Sequence, residues 1–327
     1  MLLIITNEAD IHPNPVIDHL IKENLPFFRL NTDKLLTDYN ITYEINNEKS
    51  FFEISYKKHP ISINSNQITC AWERRPMQPL ATYDHFEEEN VKKLILEEAD
   101  GFLRFFRYAI ENVYWIGHPI NERKAGSKIL QKLIAKKIGF SIPSTLFSND
   151  FKKIKLLKNK ELALKPISAF HLTSKNKDLV FYTSKQSYNK LNELGERGFR
   201  NNINFIEEYL EKKNELRVTV VGDTCFTAKI NSQVLDKEKG SIDWRQGYDH
   251  GIKFEKTEIP EIIKTKCLEF LNYFKLNFGC FDFIVDKKGT YHFLECNTNG
   301  QWMWLEEEAE LPISRKIAEL FANEINR

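Results

Sequence analysis

Three oxygen-bearing side chains near the end of the sequence could hold a metal ion. Asp282 lies in an apolar run, and Glu295 and Asn297 follow further along, two residues apart. Between them, residues 286–289 read Asp-Lys-Lys-Gly, which is typical of a tight turn. A hairpin closed by this turn places the three side chains on one face, because side chains alternate along strands. Mg²⁺ prefers hard oxygen ligands, usually one or two carboxylates together with substrate phosphates.

The same turn predicts the register of the hairpin. Val285 pairs with Thr290, and Asp282 lies opposite Phe293 and diagonal to Glu295. The other face is apolar and consists of Phe281, Phe283, Leu294 and Cys296. A half-buried strand pair whose polar residues simply face solvent is the alternative interpretation. The Glu-x-Asn step beside a matched aspartate favours the metal site.

Two further stretches carry groups that suit a nucleotide. Lys165 ends an apolar strand at a Lys-Pro step, from which its ammonium can reach a phosphate. Lys128 lies near the start of a helix predicted over residues 125–139. Residues 205–210 are apolar and then turn polar, so their backbone could meet the edge of an adenine. Taken singly, each stretch is better explained by a surface lysine or by an ordinary strand and turn.

The elements that position these residues follow a mixed α/β pattern. An apolar run at residues 2–6, helical spacing after Pro15 and a strand at residues 26–30 indicate a βαβ unit. Further strands are predicted at residues 41–45, 51–56, 68–72, 162–166, 180–183, 204–210, 215–221, 224–230, 278–285 and 291–296. Further helices are predicted at residues 87–114, 262–274 and 313–325.

Two helices show an apolar side that the sequence predicts to be buried. In the helix over residues 125–139 the stripe consists of Ile129, Leu133, Ile134 and Ile138, and Gly139 follows where a helix C-terminus favours glycine. In the helix over residues 87–114 the apolar side consists of Val91, Leu94, Ile95, Phe102, Phe105 and Phe106.

Bulk composition excludes several classes of function. The 327 residues suit two or three subdomains, and 47 basic against 46 acidic residues give a net charge of +1. Nucleic acid therefore has no electrostatic basis as the main partner. No window resembles a membrane span or a signal peptide. The five cysteines form no C-x-x-C pair, which favours reduced thiols and a cytoplasmic protein: Cys70, Cys225, Cys267, Cys280 and Cys296.

The order of these pieces resembles the ATP-grasp fold over roughly residues 121–304. The matching pieces are a lysine-bearing helix, a strand ending in Lys-Pro, a Glu-Glu-x-Leu strand and the Asp…Glu-x-Asn hairpin. The resemblance implies that Lys128 and Lys165 contact the phosphates of ATP and that Glu215 contacts the ribose. It also implies that Glu207 accepts from the adenine amino group, and that the backbone of Glu208, Tyr209 and Leu210 contacts the adenine edge. It implies Mg²⁺ ligands at Asp282, Glu295 and Asn297.

A narrower resemblance covers nearly the whole chain. The stretches at residues 29–33, 72–76, 215–218, 243–245 and 297–302 look like those of the microviridin-type graspetide synthetases. That family acts on a ribosomally made precursor peptide with a leader and a core. It phosphorylates an Asp or Glu side chain of the core, and a Thr, Ser or Lys side chain attacks the acyl phosphate to close an ester or amide macrocycle. The resemblance is compatible with a homodimer.

This chemistry suggests roles for two arginines, and the sequence differs from the family pattern at a few positions. Arg217 and Arg245 are predicted to clamp the γ-phosphate or the acyl phosphate, although a surface salt bridge explains Arg217 equally well. Cys280 stands where many ATP-grasp proteins carry an arginine, and we hypothesise that Arg245 takes that role. The loop at residues 166–178 has no glycine, so side chains or a stiffer hairpin must cover the phosphates. We assign no general base, and Asp243 is an unsupported candidate.

We therefore expect an α/β ATP-grasp fold in three parts. Residues 1–120 form an N-terminal α/β (pre-ATP-grasp) domain, residues 121–206 the central subdomain and residues 207–327 the C-terminal subdomain. The expected function is ATP-dependent macrocyclisation of a precursor peptide. One alternative is a ligase that adds amino acids to a peptide or protein terminus, and another is a non-catalytic peptide-binding protein on the same scaffold.

Overall fold

The computed structural model describes all of the chain except residues 80–87, 111, 159, 169–170, 175–176, 194, 235–241 and 247–250. Its strands are β1 (Leu2–Thr6), β2 (Phe27–Asn31), β3 (Tyr39–Ile45), β4 (Ser50–Tyr56), β5 (Ser62–Asn64), β6 (Cys70–Glu73), β7 (Tyr114–Trp115), β8 (Thr145–Ser148), β9 (Glu161–Lys165), β10 (His171–Ser174), β11 (Lys177–Val180), β12 (Ser184–Ser187), β13 (Asn204–Glu208), β14 (Lys212–Val221), β15 (Thr224–Ile230), β16 (Phe254–Thr257), β17 (Phe278–Asp286) and β18 (Tyr291–Asn297). Its α-helices are α1 (Pro13–Lys22), α2 (Leu35–Asp38), α3 (Glu89–Ala109), α4 (Pro119–Ala125), α5 (Lys128–Ile138), α6 (Tyr188–Glu193), α7 (Gly195–Arg200), α8 (Glu261–Tyr273), α9 (Met303–Ala309) and α10 (Ile313–Ile325). Short 3-10 helices lie at Thr32–Lys34, Phe151–Leu157 and Ser232–Val234.

The N-terminal part is built on a parallel sheet with the order β2-β1-β6-β7. All five residues of β1 are buried, as expected for a central strand of a parallel sheet covered on both faces. The predicted βαβ unit is confirmed, because α1 connects β1 to its parallel neighbour β2. Strands β3, β4 and β5 form a separate antiparallel sheet, which confirms the pair predicted around Asn46 and Asn47.

In the described residues after the N-terminal part, two larger antiparallel sheets face each other, beside a two-stranded hairpin. The central sheet has the order β12-β9-β13-β8, and the C-terminal sheet has the order β16-β15-β14-β17-β18. The strand predicted at residues 180–183 was wrong, because β11 ends at Val180 and β12 begins at Ser184. Strands β10 and β11 pair as an antiparallel hairpin in the glycine-free loop after β9, as the hairpin alternative expected.

Aromatic side chains form the core beneath the C-terminal sheet. Phe281 and Phe283 of β17 and Phe293 of β18 are fully buried and contact Phe270 of α8 or Phe140. This packing holds the predicted hairpin rigidly against α8, because each ring is surrounded by others at van der Waals distance.

The stripe predicted for the helix at residues 125–139 was only partly correct. The helix is α5, in which Ile134 is buried and Ile138 packs against the core as predicted, but the exposed fractions of Ile129 and Leu133 are 50% and 60%. The buried side chains of α5 are Gln131, Lys132, Ile134 and Ala135. The end of α5 was predicted correctly, since Gly139 adopts the left-handed conformation with φ 89°.

Helix α5 buries a glutamine because its neighbour β18 is the edge strand of the C-terminal sheet. The Gln131 Nε2 donates to the backbone carbonyls of Ala125 at 2.7 Å and Cys296 at 2.8 Å, and its Oε1 accepts from the Cys296 N–H at 2.8 Å. The side chain thereby supplies the partners that a further strand would have provided. Sequence periodicity cannot reveal this, because the partner lies 165 residues away.

The apolar side predicted for the long helix was also only partly correct. In α3 the buried residues are Ala99, Leu103 and Phe106, which pack against the parallel sheet. Leu94 and Phe105 are 59% and 71% exposed. All three buried positions lie in the C-terminal half of the helix, so the N-terminal half contributes little to the core.

The division at residues 120 and 206 stays a proposal. The second boundary falls inside β13, which runs to Glu208 and belongs wholly to the central sheet. Within the described part of the chain, no helix combines the length and the apolar character needed to cross a bilayer.

We predict that Gln131→Ala lowers the free energy of unfolding by about 3 kcal/mol, because it removes three hydrogen bonds and leaves the Cys296 N–H buried without a partner. Urea denaturation measures this change. Leu133→Ala on the same helix is the control and should stay within about 0.5 kcal/mol of the wild type, because its side chain is exposed. Equal shifts for the two variants would contradict the role given to Gln131.

Candidate functional site

A cleft of about 890 Å³ lies between the central and C-terminal sheets. All twelve residues that the sequence singled out for nucleotide, metal or phosphate contacts line it: Lys128, Lys165, Glu207, Glu208, Tyr209, Leu210, Glu215, Arg217, Arg245, Asp282, Glu295 and Asn297. They come from five strands, one helix N-terminus and the loop segments around them, so the fold brings together residues up to 169 positions apart in the sequence.

The hairpin of β17 and β18 brings Asp282 and Glu295 closer together than the predicted residue pairing did. Asp282 pairs directly with Glu295, not with Phe293, and Val285 pairs with Tyr291 instead of Thr290. The predicted register was therefore wrong.

A longer turn and a β-bulge cause this difference: five residues instead of four separate the paired Val285 and Tyr291, and the bulge shifts the register by one more residue before Asp282. Leu294 is the extra residue of β18, between Phe293, which pairs with Phe283, and Glu295. The bulge turns Phe293 into the aromatic core and Leu294 into the cleft, whereas Leu294 was predicted on the apolar face. It keeps Glu295 beside Asp282, and Asn297 Nδ2 donates to Asp282 Oδ2 at 3.3 Å.

Arg217 holds the Asp282 carboxylate from the neighbouring strand. The two residues are register partners across β14 and β17, and Arg217 Nη1 lies 2.7 and 2.8 Å from the two carboxylate oxygens. Arg217 Nη2 also donates to the Gln301 carbonyl at 3.3 Å. Burial raises the pKa of Asp282 although Arg217 opposes this. The solvated surface salt bridge that was the alternative for Arg217 is excluded, because its side chain is only 7% exposed.

Glu295 is paired with the lysine at the start of α5. Lys128 Nζ lies 3.3 Å from Glu295 Oε2 and donates to the Pro166 carbonyl at 3.1 Å. Ser127 caps this helix, because its Oγ accepts from Leu130 N. Burial opposes ionisation of Glu295, but the nearby cations Lys128, Lys165 and Arg245 outweigh it and lower its pKa to about 2.

Glu207 lies between two lysines at the closed end of the cleft. Its Oε2 is 2.6 Å from Lys165 Nζ, and its Oε1 is 2.5 Å from Lys132 Nζ. Thr145 Oγ1 donates to the same Oε1 at 3.2 Å. Burial opposes ionisation, yet the two ammoniums lower the pKa of Glu207. Sequence reasoning missed Lys132, which carries no signal because it interrupts an apolar pattern on a helix rich in lysine.

The strand after Glu207 leaves one backbone donor available to a ligand. The N–H groups of Glu208 and Tyr209 donate to the carbonyls of Ser144 and Glu161 at 2.9 and 2.8 Å. Among the described residues, the Leu210 N–H has no acceptor, and it lines the cleft. An adenine edge can therefore use the Leu210 N–H and the carbonyls of this segment.

Glu215 is buried and shares one oxygen with two donors. Lys212 Nζ and Ser232 Oγ lie 2.7 and 2.6 Å from Glu215 Oε1. Among the described residues its other oxygen, Oε2, accepts no hydrogen bond, so it can accept one from a hydroxyl. Burial raises the pKa of Glu215, and Lys212 opposes this.

Arg245 reaches the cleft from a segment anchored by Asp243. Its Nε and Nη2 donate to the two Asp243 oxygens at 2.8 and 2.9 Å, and the Thr183 N–H donates to the same carboxylate at 3.1 Å. Burial opposes ionisation of Asp243, but Arg245 outweighs it and lowers its pKa. This geometry makes Asp243 an anchor for Arg245 and argues against a role as general base.

The N-terminal part closes one end of the cleft. Arg74 is buried, lies 3.4 Å from Asp10 and donates to the Gly300 carbonyl at 3.4 Å. Asn299 Nδ2 donates to the Glu73 carbonyl at 3.1 Å. The loop after β18 is therefore fixed by residues far away in the sequence, and Arg75 lines the cleft beside it.

The donor set suits Mg²⁺. Asp282, Glu295 and Asn297 supply hard oxygens on one face and leave coordination positions for phosphates and water. No group of three His, Cys, Asp or Glu side chains converges on an ion position in the described part of the chain. Two carboxylates and an amide are compatible with an arrangement in which phosphates and water complete the coordination of Mg²⁺.

Known proteins share this fold and this arrangement of parts. A family model described as the MvdD pre-ATP grasp domain matches residues 1–123. The structure of a RiPP-associated ATP-grasp ligase from Chryseobacterium gregarium, in complex with ADP and a leader and core peptide, has a TM-score of 0.90 at 26% identity and covers 99% of this chain and 96% of that one. The macrocyclase MdnC from Microcystis aeruginosa MRC, bound with precursor peptide MdnA, has a TM-score of 0.84 at 28% identity over 99% of each chain.

A curated relative gives a weaker match. The tetrahydromethanopterin:alpha-L-glutamate ligase of Methanocaldococcus jannaschii is 24% identical over 231 residues, which are 67% of this chain and 75% of that protein. The expected α/β fold with a pre-ATP-grasp domain is thus confirmed. This chain is therefore related to ATP-grasp ligases, among them the RiPP macrocyclase MdnC.

Proposed function

We propose that this protein binds a precursor peptide with a leader and a core, phosphorylates Asp or Glu side chains of the core with ATP and Mg²⁺, and closes ester or amide macrocycles. The observation that carries the proposal is the convergence of all twelve predicted residues in one cleft. The solved relatives that bind ADP with a leader and core peptide, or a precursor peptide, support the choice of substrate.

The cleft offers a place for each part of ATP. The adenine lies along residues 207–210, where the Leu210 N–H is available. The ribose hydroxyls donate to the unshared oxygen of Glu215, and the phosphates meet Lys128 and Lys165. Asp282, Glu295 and Asn297 hold Mg²⁺, which when bound neutralises phosphate charge.

The existing ion pairs prepare the cleft for this ligand. Lys128 and Arg217 are paired with Glu295 and Asp282, the carboxylates that we assign to the metal. Asp282 and Glu295 would hold Mg²⁺, and Lys128 and Arg217 would pair with phosphate oxygens, so each of these groups would exchange its present partner for one on the ligand. The number of paired charges is conserved, so no buried charge is left alone.

The reaction then proceeds in two balanced steps. A carboxylate oxygen of the core attacks the γ-phosphorus, the bond to the β-phosphate bridging oxygen breaks, and ADP leaves. A hydroxyl or amine of the core attacks the acyl carbon, loses its proton and expels inorganic phosphate. Arg217 and Arg245 stabilise the negative charge that develops on the transferred phosphoryl group, because their pKa values are raised and they stay charged.

A ligase that joins separate molecules is the second candidate. The match to a glutamate ligase favours it, because the same cleft could activate a carboxylate for an amine on another molecule. The two candidates share the acyl phosphate and differ in the acceptor.

We predict that incubation of a short peptide encoded beside this gene with the protein, ATP and Mg²⁺ removes the mass of one water per ring. Intact-mass spectrometry measures this loss, and mild base then separates esters from amides. ATP consumption without loss of water, but with addition of a free amino acid, would favour the second candidate. No ATP consumption with any peptide or amino acid would contradict both.

We predict that Glu295→Gln lowers ATP turnover about 100-fold or more, because a neutral amide replaces a Mg²⁺ carboxylate. Its free energy of unfolding should change by less than about 1 kcal/mol, since the lost pair with Lys128 is partly solvated. Glu255→Gln on the same sheet is the control, because that side chain pairs with Lys229 on an exposed face. Retained turnover in Glu295→Gln would remove it from the metal site.

A further inference from the structure

Lys132 is a buried cation that the proposed reaction does not use. Its side chain is 7% exposed, and its Nζ lies 2.5 Å from Glu207 Oε1 and donates to the Phe293 carbonyl at 3.4 Å. The ammonium also lies 5.6 Å from the centre of the Phe293 ring. A lysine in such a place loses most of its hydration, and this costs free energy. A buried lysine is therefore expected only where its charge contributes to binding or catalysis.

Lys132 shares its carboxylate partner, Glu207, with a second lysine, Lys165. Lys165 occupies the other oxygen of Glu207 at 2.6 Å, so one carboxylate serves two ammoniums. The three side chains together carry one net positive charge. A cleft with Lys165 and Glu207 alone would contain a neutral pair, in which the carboxylate would compete with any phosphate for the Lys165 ammonium.

We propose that Lys132 is a positioning residue that shares Glu207 with Lys165 and thereby leaves Lys165 a net positive charge for the phosphates of ATP. The inference rests on the proposed function, since it needs ATP phosphates at Lys165. It also assigns to Glu207 the task of holding both lysines, beside the predicted contact to the adenine amino group.

The charge of Lys132 depends on pH, which gives the inference a second observable. The charged groups that face it are Glu207 of β13, Lys165 of β9 and Glu295 of β18. Burial lowers the pKa of Lys132 to about 8, with Lys165 adding to the effect and Glu207 opposing it. The carboxylates of Glu207 and Glu295 outweigh burial at Lys165 and raise its pKa, so Lys132 loses its proton first. ATP affinity should therefore fall as pH rises through about 8.

The test compares ATP, which has phosphates, with adenosine, which has none, on the full chain with Mg²⁺ by titration calorimetry or competition. Lys132→Met should weaken ATP binding about tenfold and leave adenosine binding unchanged, because the lost charge acts on the phosphates. Lys136→Met is the matched control, since it removes an exposed lysine one turn further along the same helix. It should change neither affinity.

A double variant separates charge from packing. Lys132→Met with Glu207→Gln removes both the shared cation and the carboxylate, so Lys165 is again a net positive charge. The ratio of ATP to adenosine affinity should recover toward the wild-type value. An unrecovered ratio, or an equal loss of ATP and adenosine binding in Lys132→Met, would overturn the inference.

The wild type alone provides a test that needs no variant. Its ATP affinity should fall above about pH 8 while its adenosine affinity stays constant, and Lys132→Met should show no such fall. A wild-type ATP affinity that is constant from about pH 7 to about pH 9 would overturn the inference while leaving the proposed function intact. Failure of the wild type to bind ATP at all would overturn the proposed function as well.

Discussion

Buried charges that must stay paired govern the architecture of this protein. Glu207 lies between Lys132 and Lys165, and the pairs of Asp282 with Arg217 and Glu295 with Lys128 lie across the same cleft. A buried charge without a partner is strongly destabilising, so α5 must lie where Lys132 reaches Glu207 of the central sheet and Lys128 reaches Glu295 of the C-terminal sheet. The bulge at Leu294, the Gln131 side chain on the edge strand and the aromatic core beneath β17 and β18 all serve to hold that register. Because each pair contains at least one group that we assign to ATP or Mg²⁺, the interactions that stabilise the cleft are those that the ligand would exchange.

The sequence carried enough information to predict the fold and twelve residues that line one cleft. Alternation along a strand placed Asp282, Glu295 and Asn297 together, and the Lys-Pro step placed Lys165 at a strand end. These patterns depend only on neighbouring residues, so they can be recognised without knowledge of the tertiary structure. The order of these patterns along the chain indicated the ATP-grasp fold. The match to the pre-ATP-grasp family model and to the solved relatives confirms that fold.

What the sequence could not predict depends on partners far away along the chain. The apolar stripe of α5 assumed that a helix buries its isoleucines and leucines, but Gln131 and Lys132 are buried because Cys296 and Glu207 need their donors. The hairpin register depended on a bulge, which no turn sequence specifies. The assignment of Asp243 as an anchor required the position of Arg245, and the roles of the cleft residues still depend on a ligand.

The central claim is that a peptide carboxylate is activated by phosphoryl transfer in this cleft, and oxygen transfer tests it most directly. A precursor peptide with ¹⁸O in its core carboxylates is incubated with the protein, ATP and Mg²⁺, and the released phosphate is analysed by mass spectrometry. The account predicts one ¹⁸O atom in phosphate for every ring closed, because the acyl phosphate retains a carboxylate oxygen on phosphorus when the acceptor expels it. Rings that form with only unlabelled phosphate would contradict the acyl-phosphate mechanism.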